Sequence, residues 1–147
     1  MKSIPSIKRA YLAGFLDGDG SIYVQLKPNT DYRFGYQVAP YIVFFQSAKD
    51  TEKFREIIDL IQMGHTRERS DGICEHIISR IDEIRTMLKL VKPFVILKRK
   101  QVALMEQILD QKEKVKNQED FRALAELIDA FRELNYSKKR KKRTVTP

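Results

Sequence analysis

Two aspartates, Asp17 and Asp19, stand in a run otherwise made of glycine and apolar residues, Ala13-Gly14-Phe15-Leu16-Asp17-Gly18-Asp19-Gly20. A carboxylate that closes a helix lies at the negative end of the helix dipole, where it is disfavoured alone and a cation is welcome. Carboxylate and carbonyl oxygens are hard donors, suited to Mg²⁺. No zinc-type centre competes with them, since His65, Cys74 and His76 are too few and Cys74 and His76 stand two apart on one strand. A second group has another chemistry. Tyr23, Gln25 and Lys27, with Arg67 and Arg69, are residue types that hydrogen-bond base edges or phosphates.

The apolar spacing defines the elements that must carry these residues. Ile7, Ala10, Tyr11, Leu12, Ala13, Phe15 and Leu16 recur too densely for a surface stripe and predict a helix over Ile7–Gly18 buried on more than one side. Gly14 and Gly18 each cost about 1 kcal/mol against alanine within a helix, but beside Ala13 they let another backbone come close. A C-terminal stop at Gly18 and Gly20 is the plainer use of the same glycines. Ser21, Tyr23, Gln25 and Lys27 alternate with Ile22, Val24 and Leu26, the mark of a half-buried strand. Pro28 to Asp31 turn the chain, and Tyr32 to Gln46 reads as the second strand of a hairpin. Pro40 lacks a ladder donor and predicts an edge position or a bulge there. A helix over Asp50–Ile61 follows, with Asp50 or Thr51 as N-cap. Then come a second hairpin, His65–Arg69 and Ile73–Ser79 around Ser70-Asp71-Gly72, and helices over Asp82–Val91, Lys98–Lys114 and Gln118–Leu134. The fold class is α+β, with four antiparallel strands, helices on one face and the other face open to water or a partner. A two-stranded ribbon also fits the major groove of B-DNA, about 12 Å wide.

The chain of 147 residues fits one folding domain. With 42% hydrophobic and 33% charged residues it has the makings of a core and a solvated surface rather than of disorder. No apolar run approaches the ~18 residues of a membrane span, and Met1–Arg9 lacks the apolar segment of a secretory signal. Cys74 stands alone, so no internal disulfide forms and a reducing, intracellular compartment is expected, either an organelle (chloroplast or mitochondrion) or a prokaryotic cytoplasm. Six of the 28 basic residues fall in Lys138–Arg143, leaving 22 against 20 acidic ones elsewhere. The net charge of +8 is therefore mostly a property of the tail, which points to a polyanionic partner. The division expected is one domain over residues 1–136 and a basic tail over 137–147.

Leu12-Ala13-Gly14-Phe15-Leu16-Asp17-Gly18-Asp19-Gly20, followed by Ser21-Ile22, closely resembles the signature of the LAGLIDADG homing endonucleases. The order of elements, Gln46 at a strand end, Pro93-Phe94-Val95-Ile96-Leu97-Lys98 and Leu134-Asn135-Tyr136-Ser137-Lys138-Lys139-Arg140-Lys141 extend the resemblance over nearly the full chain. It is to the single-motif, homodimeric members. The fold this implies is the αββαββα arrangement, a four-stranded antiparallel saddle sheet with helices on one face, plus C-terminal helices. The activity implied is site-specific hydrolysis of double-stranded DNA at a long pseudo-palindromic target, leaving short 3′ overhangs, in the service of intron homing. An RNA maturase or a non-cleaving DNA-binding regulator is the alternative on the same scaffold.

The resemblance also assigns residues. Asp19, Gln46 and Lys98 are the expected catalytic positions, with Asp19 and the Gly18 carbonyl holding Mg²⁺ at a site that would also take Mn²⁺ or Ca²⁺. Leu12, Ala13, Gly14, Phe15 and Asp17 are expected where two copies pair, Asp17 with a structural or interfacial role. Tyr23, Gln25, Lys27, Asn29, Tyr32, Arg33, Gln37, Tyr41, Arg67, Arg69 and Glu75 would line the DNA face, and Ser137, Lys138, Arg140 and Lys141 would touch phosphates. Val24, Val38, Ile42 and Phe44 would fill the core, with Ala39 and Val43 on the DNA side. Where relatives place an arginine shortly after the glutamine, this chain has Asp50, with Lys49 beside it as a substitute. Double-stranded DNA and a second copy are the partners implied; no membrane and no small-molecule cofactor are expected.

Overall fold

The structure is a computed structural model that describes residues 3–135. In chain order the elements are α1 (Ser6–Asp19), β1 (Gly20–Pro28), β2 (Tyr36–Ser47), α2 (Thr51–Ile61), β3 (His65–Glu68), β4 (Ile73–Ile78), α3 (Ile81–Val91), α4 (Arg99–Glu113) and α5 (Gln118–Leu134), with a 3₁₀ turn at Ala48–Asp50 leading into α2. The strands form one antiparallel sheet in the order β1-β2-β4-β3. No helix of the described residues is long and apolar enough to cross a membrane. Contacts divide the chain into two compact units. One holds the described part of Met1–Ile22 with Tyr41–Arg99, the other Tyr23–Pro40 with the described part of Lys100–Pro147.

In the first unit β4 is the hub, pairing Phe44 with His76 and Gln46 with Cys74 on one side and Arg67 with Glu75 on the other. Because side chains alternate along a strand, Ile42 and Phe44 share a face, and both are fully buried. Phe15 of α1 packs over that face, 5.9 Å from Phe44 and 6.1 Å from Phe54 of α2, ring centroid to ring centroid. Ile84, Met87, Leu88 and Val91 recur at helical spacing and bury one side of α3. Its last turn is closed by Arg9, which donates to the carbonyls of Leu90 (3.0 Å) and Lys89 (3.3 Å) and lies over the Phe94 ring. These are carbonyls a helix end leaves without an internal partner. Asp50 does not cap α2 with its side chain. The helix is entered through the 3₁₀ turn, so the free amide is that of Lys49, and the Ser47 hydroxyl accepts from it at 3.3 Å.

The second unit buries Val24, Leu26 and Val38 of the first hairpin, together with Val102, Met105, Ile108 and Leu109 of α4 and Leu124, Ile128 and Phe131 of α5. Strand β2 begins at Tyr36, not at Tyr32. The Asn29 side chain accepts from the Asp31 amide (3.0 Å), the Asn29 amide donates to the Gly35 carbonyl (2.9 Å), and Gly35 takes φ +81°. Residues 29–35 thus close their hydrogen bonds within a loop, which a glycine in the left-handed region permits. Pro40 lies within a central strand, yet the β2–β4 ladder covers only Ile42–Ser47, so its missing N–H leaves no rung of that ladder broken. Ala39 and Val43, expected on the DNA side, are buried at 6% and 1% exposure.

Candidate active site

Helix α1 ends at Asp19 because the Gly20 backbone turns extended there while its amide still reaches the Leu16 carbonyl. A Cβ at Gly20 would lie 2.6 to 2.9 Å from atoms of Leu16, so this close approach requires glycine. The Asp19 carboxylate is exposed and makes no hydrogen bond or ion pair with any described residue. No basic residue stands in the last turn of α1. The carboxylate and the negative helix end coincide without a compensating partner among the described residues.

Asp17 points elsewhere. Its carboxylate accepts the backbone N–H groups of Ile96 (2.7 Å), Leu97 (3.1 Å) and Lys98 (3.1 Å), which immediately precede α4. The Lys98 ammonium in turn donates to the Asp17 carbonyl at 3.3 Å. Phe94–Lys98 contains no Ser, Thr, Asp or Asn to cap α4 locally, and Asp17 satisfies the orphan amides from about 80 residues away. Lys98 is thereby fastened to the turn that carries Asp19. Gln46 is not drawn into this group. Its Oε1 accepts from the Ser47 amide at 2.9 Å, and no hydrogen bond joins it to Asp19 or Lys98 among the described residues. Lys49 is exposed.

The positions expected where two copies pair fall into different roles. Leu12 and Ala13 are fully buried in the protomer's own core, Phe15 belongs to the aromatic cluster, and Asp17 holds the loop before α4. The strip of α1 left exposed is Ile7 (78%), Tyr11 (53%), Gly14 and Gly18. A methyl group added at Gly14 or Gly18 would meet nothing within 4 Å. The expectation that this helix is buried on more than one side is therefore not met inside one protomer.

On the β3–β4 hairpin, Glu75 is only 8% exposed and is the hub of an ion-pair cluster. It lies 3.3 Å from Arg69 and 3.6 Å from Arg67, and Arg69 also reaches Asp71 at 2.6 Å. Glu75 is thus paired with both arginines within the protomer. Of the other expected DNA contacts, Gln25, Lys27, Tyr32 and Arg33 are exposed, Tyr23, Asn29, Gln37 and Tyr41 are half-buried, and Ser137, Lys138, Arg140 and Lys141 lie outside the described residues. Behind the hairpin, His76 uses both ring nitrogens. Nε2–H donates to the Met63 carbonyl (2.6 Å), so Nδ1 accepts from the Thr66 hydroxyl (2.9 Å). Burial, with a smaller push from His65, holds the imidazole below its ordinary value, against the opposing pull of the Met63 carbonyl and Glu83. Burial first, then Glu68 and Glu75, raises the Cys74 thiol.

Residues 12–109 match the family model described as LAGLIDADG endonuclease. The chain belongs to the LAGLIDADG endonuclease family. DNA endonuclease I-CreI of Chlamydomonas reinhardtii is 36% identical to it over 140 residues, covering 92% of this chain and 83% of that protein. DNA endonuclease I-CvuI of Chlorella vulgaris is 33% identical over 134 residues, covering 91% and 83%. A crystal structure of I-CvuI with its target, in the presence of calcium, superposes with a TM-score of 0.85 at 32% identity, covering 92% and 87%. This LAGLIDADG endonuclease thus has the fold expected from its helix-hairpin order. The anchoring of Lys98 by Asp17 is a feature that spacing did not disclose, although a helix start without a local capping residue is the signal that something remote must supply one.

Proposed function

We propose that this LAGLIDADG endonuclease is a homodimeric, Mg²⁺-dependent enzyme that cuts both strands of a long, nearly palindromic DNA site and leaves short 3′ overhangs. The exposed, uncompensated Asp19 carboxylate at the end of α1 carries this reading. Carboxylate and Gly18 carbonyl are hard oxygen donors, and the negative helix end favours a cation. Among the described residues no three His, Cys, Asp or Glu side chains come together. A second copy's Asp19, water and phosphate oxygens would complete a site begun by Asp19 and the Gly18 carbonyl. A divalent cation held there would supply an activated water and neutralise charge building on the phosphate.

The chain's own groups do the rest. Asp19 holds the cation and the Gly18 carbonyl assists. The Lys98 ammonium, held at the Asp17 carbonyl, donates toward the phosphate oxygens as charge develops. Gln46 releases Ser47 and orders water beside the scissile bond. Two copies meet along the exposed strip of α1, where Gly14 and Gly18 let the backbones approach and Ile7 and Tyr11 are covered. A dimer of this kind reads two half-sites with the faces that carry Tyr23, Gln25, Lys27, Asn29, Tyr32, Arg33, Gln37, Tyr41, Arg67 and Arg69. Residues 1–136 form the endonuclease domain, and the tail from residue 137 adds phosphate contacts and a salt-dependent share of affinity. Homing of an intron into its uninterrupted site is the biology that fits.

A supercoiled plasmid bearing the uninterrupted insertion sequence tests this. Mg²⁺ should give a linear product with 3′ extensions, EDTA or Asp19→Asn should abolish it, and sedimentation should give two copies per duplex. Linearisation in EDTA, or a single copy on the cut site, overturns the reading.

A further inference from the structure

The loop that bears Asn29, Tyr32 and Arg33 is held by rings that none of the roles above uses. Phe34 stacks on Phe121 of α5, centroids 5.2 Å apart at 18°, and Tyr36 lies on the same ring at 6.3 Å and 20°. The Arg33 guanidinium sits 5.0 Å above the Phe34 ring. With Val38 and Leu124 the rings line a cleft of about 180 Å³. The base of this stack is firm. Phe121 is 4% exposed on the first turn of α5, where the Asn117 side chain accepts from the Asp120 amide (2.8 Å) and the Asp120 carboxylate accepts from the Lys116 amide (3.0 Å). The turn hydrogen bonds at Asn29, Tyr32 and Gly35 fix the loop's internal shape, but they run from the loop to itself and do not set the direction in which it points.

We propose that Phe34 and Phe121 are positioning residues for DNA recognition, clamping this loop to α5 so that Asn29, Tyr32 and Arg33 meet the duplex already ordered. The inference rests on the DNA-binding role proposed for those three. A loop ordered beforehand has less freedom to lose on binding, so the clamp acts on affinity and base choice rather than on the chemical step. The guanidinium over Phe34 likewise limits the directions open to Arg33.

Leucine at position 34 or 121 keeps apolar bulk and removes the flat ring, whereas tyrosine keeps the stack. Limited trypsin digestion at Arg33 needs no DNA. Phe34→Leu and Phe121→Leu should be cut several-fold faster than the parent, and Phe34→Tyr and Phe121→Tyr at the parental rate. Phe34 lies in the loop, so its leucine variant tests the clamp without disturbing the fold of α5. On the target, the leucine variants should raise KM by up to about tenfold. They should leave kcat at saturating DNA unchanged and lose base discrimination only at the pairs the loop reads. Equal trypsin rates in parent and leucine variants overturn the clamp. Faster digestion with unchanged KM and base preference overturns its part in recognition. A parent that binds no target sinks the functional reading and the recognition role together, and the trypsin comparison still reports whether the rings hold the loop.

Discussion

Asp17 and Asp19 are two residues apart on one helix, and the structure gives their removal different consequences for stability. Asp17 accepts three amides, at 2.7, 3.1 and 3.1 Å. A hydrogen bond to a charged group contributes about 1.5 to 3 kcal/mol, and one left unmade in a buried place costs as much. Water can replace part of this here, because two of the three bonds are exposed. About 1 kcal/mol for each is the appropriate scale, or about 3 kcal/mol for Asp17→Ala. For a chain of this size, each kcal/mol moves Tm by about 2 to 4 °C, so the variant should melt about 6 to 12 °C below the parent. Asp17→Asn keeps one acceptor oxygen but aims an amide donor at other donors, and should fall between. Both should also cleave more slowly, by about a hundredfold for Asp17→Ala, since Lys98 loses its fixed place and an ångström of misplacement has that effect. Asp19→Asn removes a carboxylate with no partner among the described residues, so Tm should stay within about 2 °C of the parent. Its cleavage should nonetheless fall about a thousandfold or more through loss of the cation's contribution. Thermal melts by circular dichroism, with cleavage measured at saturating duplex and Mg²⁺, decide the matter. Equal melting of the parent and Asp17→Ala, or undiminished cutting by Asp19→Asn, would refute this division of labour.

Gly14→Ala and Gly18→Ala should each stabilise an isolated protomer by about 1 kcal/mol, because an added methyl meets nothing there. They should shift the protein toward monomers in sedimentation, and a dimer as tight as the parent's would place the contact elsewhere. Glu75→Gln unties Arg67 and leaves Arg69 held by Asp71 alone, so base preference should relax at the pairs they read. The freed cation should steepen the dependence of log Kd on log salt by about one. Filter binding over a KCl series checks this, and an unchanged slope contradicts it. His76 is held neutral below its ordinary value of 6.5. The folded state then binds fewer protons than the unfolded one as pH drops through that value. Stability should be complete above about pH 6.5 and decline as the pH falls below it. Urea unfolding from pH 8 to 5 should show this decline, and His76→Gln should flatten it.

Burial imposes a period on a chain, and that is why the elements are readable from spacing. Ile22, Val24 and Leu26 must face inward together, and Ile84, Met87, Leu88 and Val91 must share one side of a helix. Spacing says which residues share a face, but not what covers it. Tyr32 and Phe34 continue the apolar pattern of β2, yet Asn29 and Gly35 close a loop around them; Tyr32 is left exposed and the Phe34 ring lies against α5 rather than in the ladder. Glu75 reads as an acceptor on an open strand, and its pairing with Arg67 and Arg69 appears only once the hairpin brings them alongside it. The amides that Asp17 accepts lie about 80 residues off, beyond any local pattern. Helix α1 makes the same point about function. Its apolar density exceeds what a single core absorbs, and the structure divides the excess. Leu12, Ala13 and Leu16 seal the protomer, while Ile7, Tyr11, Gly14 and Gly18 are left facing out. A strip with two large apolar side chains and two glycines, running toward an uncompensated carboxylate, is poorly suited to water. It is well suited to a second copy of the same helix, which would cover the apolar residues and bring a second carboxylate to the same cation.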